Sequence, residues 1–408
     1  MRPLAILGGR LVDPRAGSVQ PGNLLIVDRR IAAVGDFDVP AEAERIDASG
    51  LLVTPGLVDV GSFAIDLPAF VAGGITRAAL MPDQSPPLDH AALVQRAAQA
   101  GKPDVWVHPI AAGTKALAGR ELAEIGLMRA AGAVAVATGR GWIADSGVML
   151  RLLGYASALD LPVIAHAEDG SLTAGAVATD GETATRLGLP AAPAAAEAMA
   201  VARDLMLAEE AGAAIHFRQI TTARAFDLVR AAKRRGVRVT CGITPAHLFL
   251  SDQAIGPFRT FARLSPPLRE EADRLAAIEA VRDGTVDLIC SGHDPQGPEA
   301  KRLPFADAEP GMAGAATLLT LSLALVRDGV IALPRLFDLL STAPARLLGL
   351  PGGGLDVGDE ADLLLVDEGA PWRIDSDRMA GAAGNTPFDA LPVQGRVVRT
   401  IKGGVALN

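Results

Sequence analysis

Short apolar runs alternate with longer amphipathic stretches through the middle of the chain. The runs predict buried strands at residues 105–107, 133–137, 162–165, 213–215, 237–240 and 286–289. Ala-rich stretches at residues 195–211 and 223–235 have the spacing of helices. Strands and helices that alternate over about 300 residues favour an α/β fold, a parallel (β/α)8 TIM barrel. A doubly wound sheet is the alternative, but no GxGxxG motif follows a first strand.

The two ends of the chain have a different pattern, in which short strands are separated by turns. Apolar runs lie at residues 4–7, 24–27 and 31–34 near one end, and at residues 361–367 and 397–401 near the other. Chain termini often lie close together. We therefore predict a small β-sandwich domain built from residues 1–50 and 355–408, beside a barrel domain of residues 51–354.

Composition agrees with a large globular protein and excludes some classes of partner. Of the 408 residues, 50% are apolar and 21% are charged, so the chain can bury a large core. The net charge of -9 and the lack of a long basic run predict no nucleic-acid and no membrane partner. Two isolated cysteines, Cys241 and Cys290, and no recognisable signal peptide or membrane-spanning run predict a cytoplasmic protein.

In a TIM barrel the chemistry lies at the carboxyl ends of the strands. Residues 53–65, which include Pro-Gly-Leu-Val-Asp at residues 55–59, would form the first barrel strand. This stretch resembles the start of the barrel in cyclic amidohydrolases, and most closely in dihydroorotases of the long type that associates with aspartate transcarbamoylase. The resemblance continues in the family's order at residues 73–76, 81–82, 166–169, 197, 203, 244–248, 266–269, 311–314 and 358–362.

The resemblance implies zinc chemistry, in which zinc ions activate a water that attacks a cyclic amide and a carboxylate transfers the proton. The first two zinc ligands of the family are histidines two residues apart, which point to the same side of a strand. At the family's zinc-ligand positions this chain has Gly61, Phe63, Gly139 (within one or two residues, beside Thr138), His166 and Gln219. Ile65 and Asp83 replace the family's substrate-binding Arg and Asn. Gly292 replaces the Asp that transfers the proton.

Of the family's zinc-ligand positions, only that of His166 still holds a zinc-binding side chain. A catalytic zinc takes three protein ligands, so one histidine is too few. The family's zinc ligands and its carboxylates are replaced together in this chain. Such joint replacement is expected from electrostatics, because clustered carboxylates without a cation repel one another. We therefore expect no zinc, no other cofactor and no catalytic residue.

Several polar residues at predicted strand ends have more than one interpretation. His166 could be a former ligand or a histidine held by a neighbouring carboxylate. His293 beside Asp294 could form a catalytic dyad, because a carboxylate can orient an imidazole, or it could be a packed residue of the family's motif. Arg218 could be a residue of a strand in which polar and apolar positions alternate, or it could bind an anion in the barrel mouth, with Asp294 as a further ligand contact.

The sequence leaves three functions open. The first is a non-catalytic subunit, because the resemblance implies a homo- or hetero-oligomer with the aspartate transcarbamoylase catalytic subunit and a structural or regulatory role in pyrimidine biosynthesis. The second is an active cyclic amidohydrolase that converts carbamoyl aspartate to dihydroorotate with an altered site. The third is a sensor that binds a small molecule in the barrel mouth through Asp83, Arg218 and Gln219. We take the first as our prediction.

Overall fold

The computed structural model describes residues 2–408, which form a barrel and a separate sheet. The strands are β1 (Leu4–Asp13), β2 (Ser18–Val27), β3 (Arg30–Val34), β4 (Glu44–Asp47), β5 (Leu52–Pro55), β6 (Leu57–Ser62), β7 (Ile75–Leu80), β8 (Trp106–Ala112), β9 (Ala135–Ala137), β10 (Val163–Ala165), β11 (Ala178–Thr179), β12 (Ala191–Ala192), β13 (Ile215–Phe217), β14 (Val239–Ile243), β15 (Leu288–Ile289), β16 (Leu363–Arg373), β17 (Pro392–Lys402) and β18 (Val405–Ala406). The helices are α1 (Leu67–Gly73), α2 (Ala91–Ala97), α3 (Ile125–Ala130), α4 (Ser146–Ala158), α5 (Gly170–Thr173), α6 (Glu182–Leu187), α7 (Ala195–Ala211), α8 (Ala223–Arg234), α9 (Pro245–Phe249), α10 (Glu271–Arg282), α11 (Pro298–Lys301), α12 (Leu318–Arg327), α13 (Leu333–Phe337) and α14 (Ala343–Leu347).

Eight parallel strands form a nearly closed barrel, which confirms the predicted TIM-type fold. They follow one another in chain order from β6 to β10 and then from β13 to β15, with helices between them. Hydrogen bonds of a side chain and of the backbone join the end of the last strand to the first. Asp59 on β6 accepts the backbone N–H of Ser291 at 2.7 Å and its hydroxyl at 2.6 Å. The backbone N–H of Phe63 donates to the carbonyl of His293 at 2.8 Å.

Both ends of the chain contribute to the other large sheet, as predicted. Its strand order is β18, β17, β16, β5, β1, β2 and β3, and most neighbours are antiparallel. The sheet branches at β1, which pairs in parallel with β4 near its start and with β5 near its end. Hydrogen bonds thus join all eight strands into one sheet. The assignment of this sheet to a separate domain with limits at residues 50 and 355 stays a prediction.

The predicted first barrel strand at residues 53–65 is in fact two shorter strands. Residues 52–55 form β5 in the sheet of the termini, and residues 57–62 form β6 in the barrel. Gly56 separates them where the backbone passes close to the side chain of Thr76, because a Cβ there would lie 2.3 Å from Oγ1 of Thr76. An apolar run that crosses from one sheet to another looks continuous in the sequence.

The main core lies between the barrel strands and the surrounding helices. Its largest fully buried side chains include Phe70, Phe217, Phe226 and Phe337. A smaller apolar cluster, which includes Leu24, lies against the sheet of the termini. Within residues 2–408, every helix is too short or too polar to cross a lipid bilayer.

Candidate functional site

A small cavity lies at the carboxyl ends of the barrel strands, the end at which TIM barrels bind their substrates. Its volume of about 20 Å³ is room for one or two water-sized groups. Residues that follow β6, β9, β13, β14 and β15 contribute to its wall. The residues that line it are Phe63, Arg140, Arg218, Gln219, Thr244, His247, Leu264, Ser265, Gly292, Asp294, Gly311 and Met312.

Gly61 and Phe63 lie at the end of β6, where the strand is irregular. The register between β6 and β7 shifts between Val60 and Ser62, and Gly61 between them has a φ of +94°. Side chains are disfavoured at this φ. A Cβ at residue 61 would also lie 3.2 Å from Cδ of Arg218. Residues 61 and 63 therefore do not lie two apart on a regular strand, because a bulge interrupts the alternation of sides.

Arg218 fills the space beside Gly61. Its side chain is 4% exposed, and its Nη2 atom lies 3.3 Å from Nδ1 of His166. Its Nε atom is buried and has no hydrogen-bond partner among the described residues, 2–408. A guanidinium group only donates, so Nδ1 of His166 accepts and the proton of the ring lies on Nε2. Burial lowers the pKa of Arg218 from its usual value, because an ion is unfavourable away from water.

The ring of Phe63 packs against two guanidinium groups. Cζ of Arg140 lies 3.8 Å from the ring centroid and Cζ of Arg218 lies 4.9 Å from it, both within cation–π range. Nη1 of Arg140 also donates to Oδ2 of Asp294 at 2.6 Å. The other oxygen, Oδ1 of Asp294, accepts from Nε2 of Gln296 at 3.0 Å. Both oxygens of Asp294 are therefore engaged within the protein.

Asp83, Thr138 and Gly139 meet beside the cavity without lining it. Oδ1 of Asp83 accepts the backbone N–H of Arg140 at 2.8 Å, whereas Oδ2 is buried and has no partner within residues 2–408. Gly139 has a φ of +82°, and a Cβ there would lie 2.9 Å from Oδ1 of Asp83. The hydroxyl of Thr138 accepts the backbone N–H of His166 at 3.0 Å. These bonds fix the backbone after β9.

His166 connects the cavity to a buried ionic network. Its Nε2 atom lies 3.4 Å from Oε2 of Glu168, and Oε1 of Glu168 accepts from Nη2 of Arg269 at 2.7 Å. Burial alone would raise the pKa of Glu168. The hydrogen bond from His166 and the charge of Arg269 outweigh burial, and lower this pKa to about 2. His166 is thus a hydrogen-bonded barrel histidine held by its neighbouring carboxylate.

Arg269 also contacts a second buried carboxylate, Glu197 on α7, at 3.4 Å. Glu197 is 1% exposed and accepts the backbone N–H groups of Thr221 and Thr222 at 2.9 and 2.8 Å, as well as both hydroxyls. These threonines precede α8, so the carboxylate satisfies donors at the start of a helix. The network fixes the segment after β13, which carries Arg218.

Gln219 belongs to a chain of hydrogen bonds on another wall of the cavity. Its Nε2 atom donates to Oγ1 of Thr244 at 3.4 Å, and this hydroxyl donates to Nδ1 of His247 at 2.8 Å. Nε2 of His247 donates to the carbonyl of Pro266 at 3.1 Å, which fixes the direction of the chain. Burial lowers the pKa of His247 to about 4. Gly292 also lines the cavity, and a Cβ there would lie 2.9 Å from Cγ2 of Thr244.

His293 and Asp294 are not arranged as a dyad. Nε2 of His293 faces Oδ2 of Asp66 at 3.4 Å, and Nδ1 accepts the backbone N–H of Ala315 at 3.3 Å. The ring is fully buried and packs against Phe70, with 5.6 Å between the centroids. Asp294 has its own partners on the cavity wall. The geometry therefore agrees with the interpretation of His293 as a packed residue.

Ile65 and Cys290 do not line the cavity. Ile65 is half-buried and packs against the main apolar cluster of the barrel. Cys290 is fully buried, and burial raises the pKa of its thiol to about 12. A thiol is a nucleophile only as the thiolate, so this side chain is unreactive.

The residues at the cavity do not fit a zinc ion. Nδ1 of His166 accepts from Arg218, and Gln219 supplies an amide in place of an imidazole. Within residues 2–408, no three side chains of His, Cys, Asp or Glu lie close enough together to hold a metal ion. The donor set therefore differs from the three ligands that a catalytic zinc requires.

Sequence reasoning missed Arg140 as a residue of the cavity. It directly follows Thr138 and Gly139 at the end of β9, so the rule that barrel chemistry follows the strands could have found it. No local signal indicates its pairing with Asp294, because 154 positions separate the two residues in the chain. Likewise, no local signal indicates that His293 lies against Asp66, because these residues are far apart in the chain.

Comparisons with known sequences give the family of the chain, and a comparison with solved structures gives its fold. Residues 54–225 match the family model described as dihydro-orotase-like. A dihydroorotase of Syntrophotalea carbinolica is 40% identical over 418 residues, and a dihydroorotase-like protein of Pseudomonas aeruginosa is 38% identical over 419 residues, each comparison covering 98% of both chains. The L-hydantoinase of Arthrobacter aurescens has the same fold, with a TM-score of 0.88 and 24% identity, covering 100% of this chain and 96% of that one. The chain therefore belongs to the dihydroorotase-like family of the amidohydrolase superfamily.

Proposed function

We propose that this chain has lost the hydrolytic activity of its family and serves as a non-catalytic structural or regulatory subunit of aspartate transcarbamoylase in pyrimidine biosynthesis. The observation that carries the first part is the position of Arg218. Its guanidinium group lies against Nδ1 of His166, the one histidine at a ligand position of the family, and its stem lies over Gly61.

A fixed cation at this place opposes a metal ion in two ways. It occupies the lone pair of His166 that a metal would need, and its charge repels a second cation over a short distance in a poorly screened site. The ring of Phe63 forms the cavity wall beside the same guanidinium group and offers no metal ligand. Arg218 and Phe63 together support the loss of the metal ion, and with it of a metal-activated water.

The choice of aspartate transcarbamoylase as the partner rests on the resemblance of the sequence to dihydroorotases of the type that associates with this enzyme. Similarity over 98% of a relative named a dihydroorotase-like protein supports retention of the whole fold. A barrel that acts through its outer surface needs its core and an interface, but no reactive groups in its mouth. The closed core agrees with this division, and so does the engagement of His166 and Asp294 in bonds within the protein.

An assay of dihydroorotate hydrolysis and of carbamoyl aspartate cyclisation, with and without added zinc, tests the loss of activity. The dihydroorotase of S. carbinolica is the positive control. We expect turnover to be about 10⁴- to 10⁶-fold below the control, which is the size of effect seen when a set of cooperating catalytic groups is removed. Elemental analysis after dialysis should find far less than one zinc ion per chain. Zinc-dependent turnover within about a hundredfold of the control would contradict the proposal and favour the active amidohydrolase.

Light scattering after size-exclusion chromatography tests the partner. The chain is mixed with the aspartate transcarbamoylase catalytic subunit of its own organism, and each protein alone is the control. We expect a complex that elutes before either protein and contains both, because a stable interface of standard size supports nanomolar to micromolar affinity. Separate elution of the two proteins at about 10 μM of each would contradict the partner assignment.

A further inference from the structure

The barrel mouth contains a buried positive charge that no carboxylate contacts. Arg218 is 4% exposed, and within residues 2–408 its guanidinium group makes one hydrogen bond, to neutral His166. Its Nε–H is buried without an acceptor. Buried ionic groups in proteins are normally paired, because removal from water is unfavourable. An unpaired, buried guanidinium group beside a cavity therefore indicates an acceptor that comes from outside the chain.

The groups beside Arg218 are also donors. Gln219 uses one amide proton for Thr244 and keeps a second, and Arg140 uses Nη1 for Asp294 and keeps its other N–H groups. Asp294, the acidic residue of the cavity wall, is already hydrogen-bonded, because both of its carboxylate oxygens accept from donors within the protein. Asp83 beside the cavity has one buried oxygen without a partner within residues 2–408, and its charge and that of Asp294 act on Arg218 without a contact. The cavity therefore presents free donors around a positive charge that carboxylates balance only from a distance.

The size of the cavity limits what can enter it. A volume of about 20 Å³ admits one or two water-sized groups, which excludes a nucleotide base or a sugar as the buried part. Arg140 is 44% exposed, so the cavity opens toward solvent on its side. A ligand can place one small group inside while the rest of it stays in solvent.

We propose that the barrel mouth binds a small oxyanion, such as a carboxylate or phosphate group, on Arg218, with Arg140 and Gln219 as further donors. An oxyanion supplies acceptors to Arg218 and balances its charge, and charge-assisted bonds of this kind are the strong ones. The site uses Arg218, on whose position the proposed loss of hydrolysis also rests, and Gln219 at a zinc-ligand position of the family. The two proposals can still fail separately, because a shift of the Tm with an added anion requires no turnover.

Thermal unfolding in different salts tests the proposal. Sodium chloride is replaced at constant ionic strength and pH by sodium formate, sodium acetate or sodium phosphate. We expect formate, acetate or phosphate to raise the Tm of the protein by about 2 to 4 °C, because a ligand that binds only the folded state stabilises it. A shift with formate and acetate assigns the site to carboxylates, and a shift with phosphate alone assigns it to phosphate groups.

Arg218→Met removes the charge and keeps most of the volume, so the shift should vanish. Arg302→Met, at an exposed arginine of α11's carboxyl-terminal end, is the matched control and should behave as the unchanged protein. Arg140→Met keeps the folded barrel even if Arg218→Met does not fold, and it should at least halve the shift. No shift with any of the three salts, or an equal shift in the Arg218→Met and Arg140→Met proteins, would overturn the proposal.

Discussion

Replacement of both Gly61 and Phe63 by histidine should give a protein without measurable dihydroorotase turnover that is less stable than the unchanged protein by about 2 to 5 kcal/mol. Residue 61 has a φ of +94°, which disfavours any side chain, and its Cβ would press on Arg218 at 3.2 Å. Loss of the Phe63 ring removes buried apolar area from beside two guanidinium groups. The positive charge of Arg218 beside these positions would also oppose the binding of a metal ion by the new histidines.

Urea unfolding and the cyclisation assay with added zinc measure the two expected results. Gly61→Ala is the control for the backbone, since it adds a Cβ without an imidazole. It should account for about 1 to 2 kcal/mol of the loss. Measurable zinc-dependent turnover in the double variant would show that these two positions alone decide activity. Such a result would contradict the argument from Arg218.

Glu197→Ala should lower the free energy of unfolding by about 3 to 5 kcal/mol, because it removes one partner of a buried ionic network. The carboxylate accepts from two backbone N–H groups and two hydroxyls at Thr221 and Thr222. Without it, these donors and part of the charge of Arg269 are left buried and unpaired. The midpoint of urea unfolding, at an unchanged m-value, measures the loss.

Glu210→Ala is the matched control, because Glu210 lies on the same helix and is exposed. It should change stability by less than about 0.5 kcal/mol. If Glu197→Ala does not fold, Glu197→Gln keeps the shape and one acceptor, and should lose about 1 to 3 kcal/mol. A change of less than about 1 kcal/mol in Glu197→Ala would show that the threonines find other acceptors.

The architecture could be predicted because its signals are local. Buried parallel strands are short runs of apolar residues, and the run predicted at residues 162–165 is β10 within one residue. The predicted helices at residues 195–211 and 223–235 are α7 and α8. The error at residues 53–65 has a physical cause, since Gly56 turns the chain between two sheets without breaking the apolar pattern.

The cavity could be predicted only in part. The resemblance indicated which positions to compare, and strand ends carry most of the residues that line the cavity. The directions of side chains could not be predicted, because they depend on contacts between distant segments. Arg218 turns toward His166, and its stem occupies the space that a side chain at Gly61 would need. The bulge at Gly61 is likewise set by pairing with β7. The glycine within β6 is a general signal of a bulge but does not fix its geometry.

The sheet shared by the two termini has a consequence for synthesis on the ribosome. β5 pairs with β1 on one side and with β16 on the other, and β16 is translated about 300 residues later. At about 5–20 residues per second, one edge of β5 stays open for roughly 15–60 s. Open strand edges attract the edges of other chains. The nascent protein is therefore most prone to aggregate before its final strands emerge, and early termination would leave that edge exposed permanently.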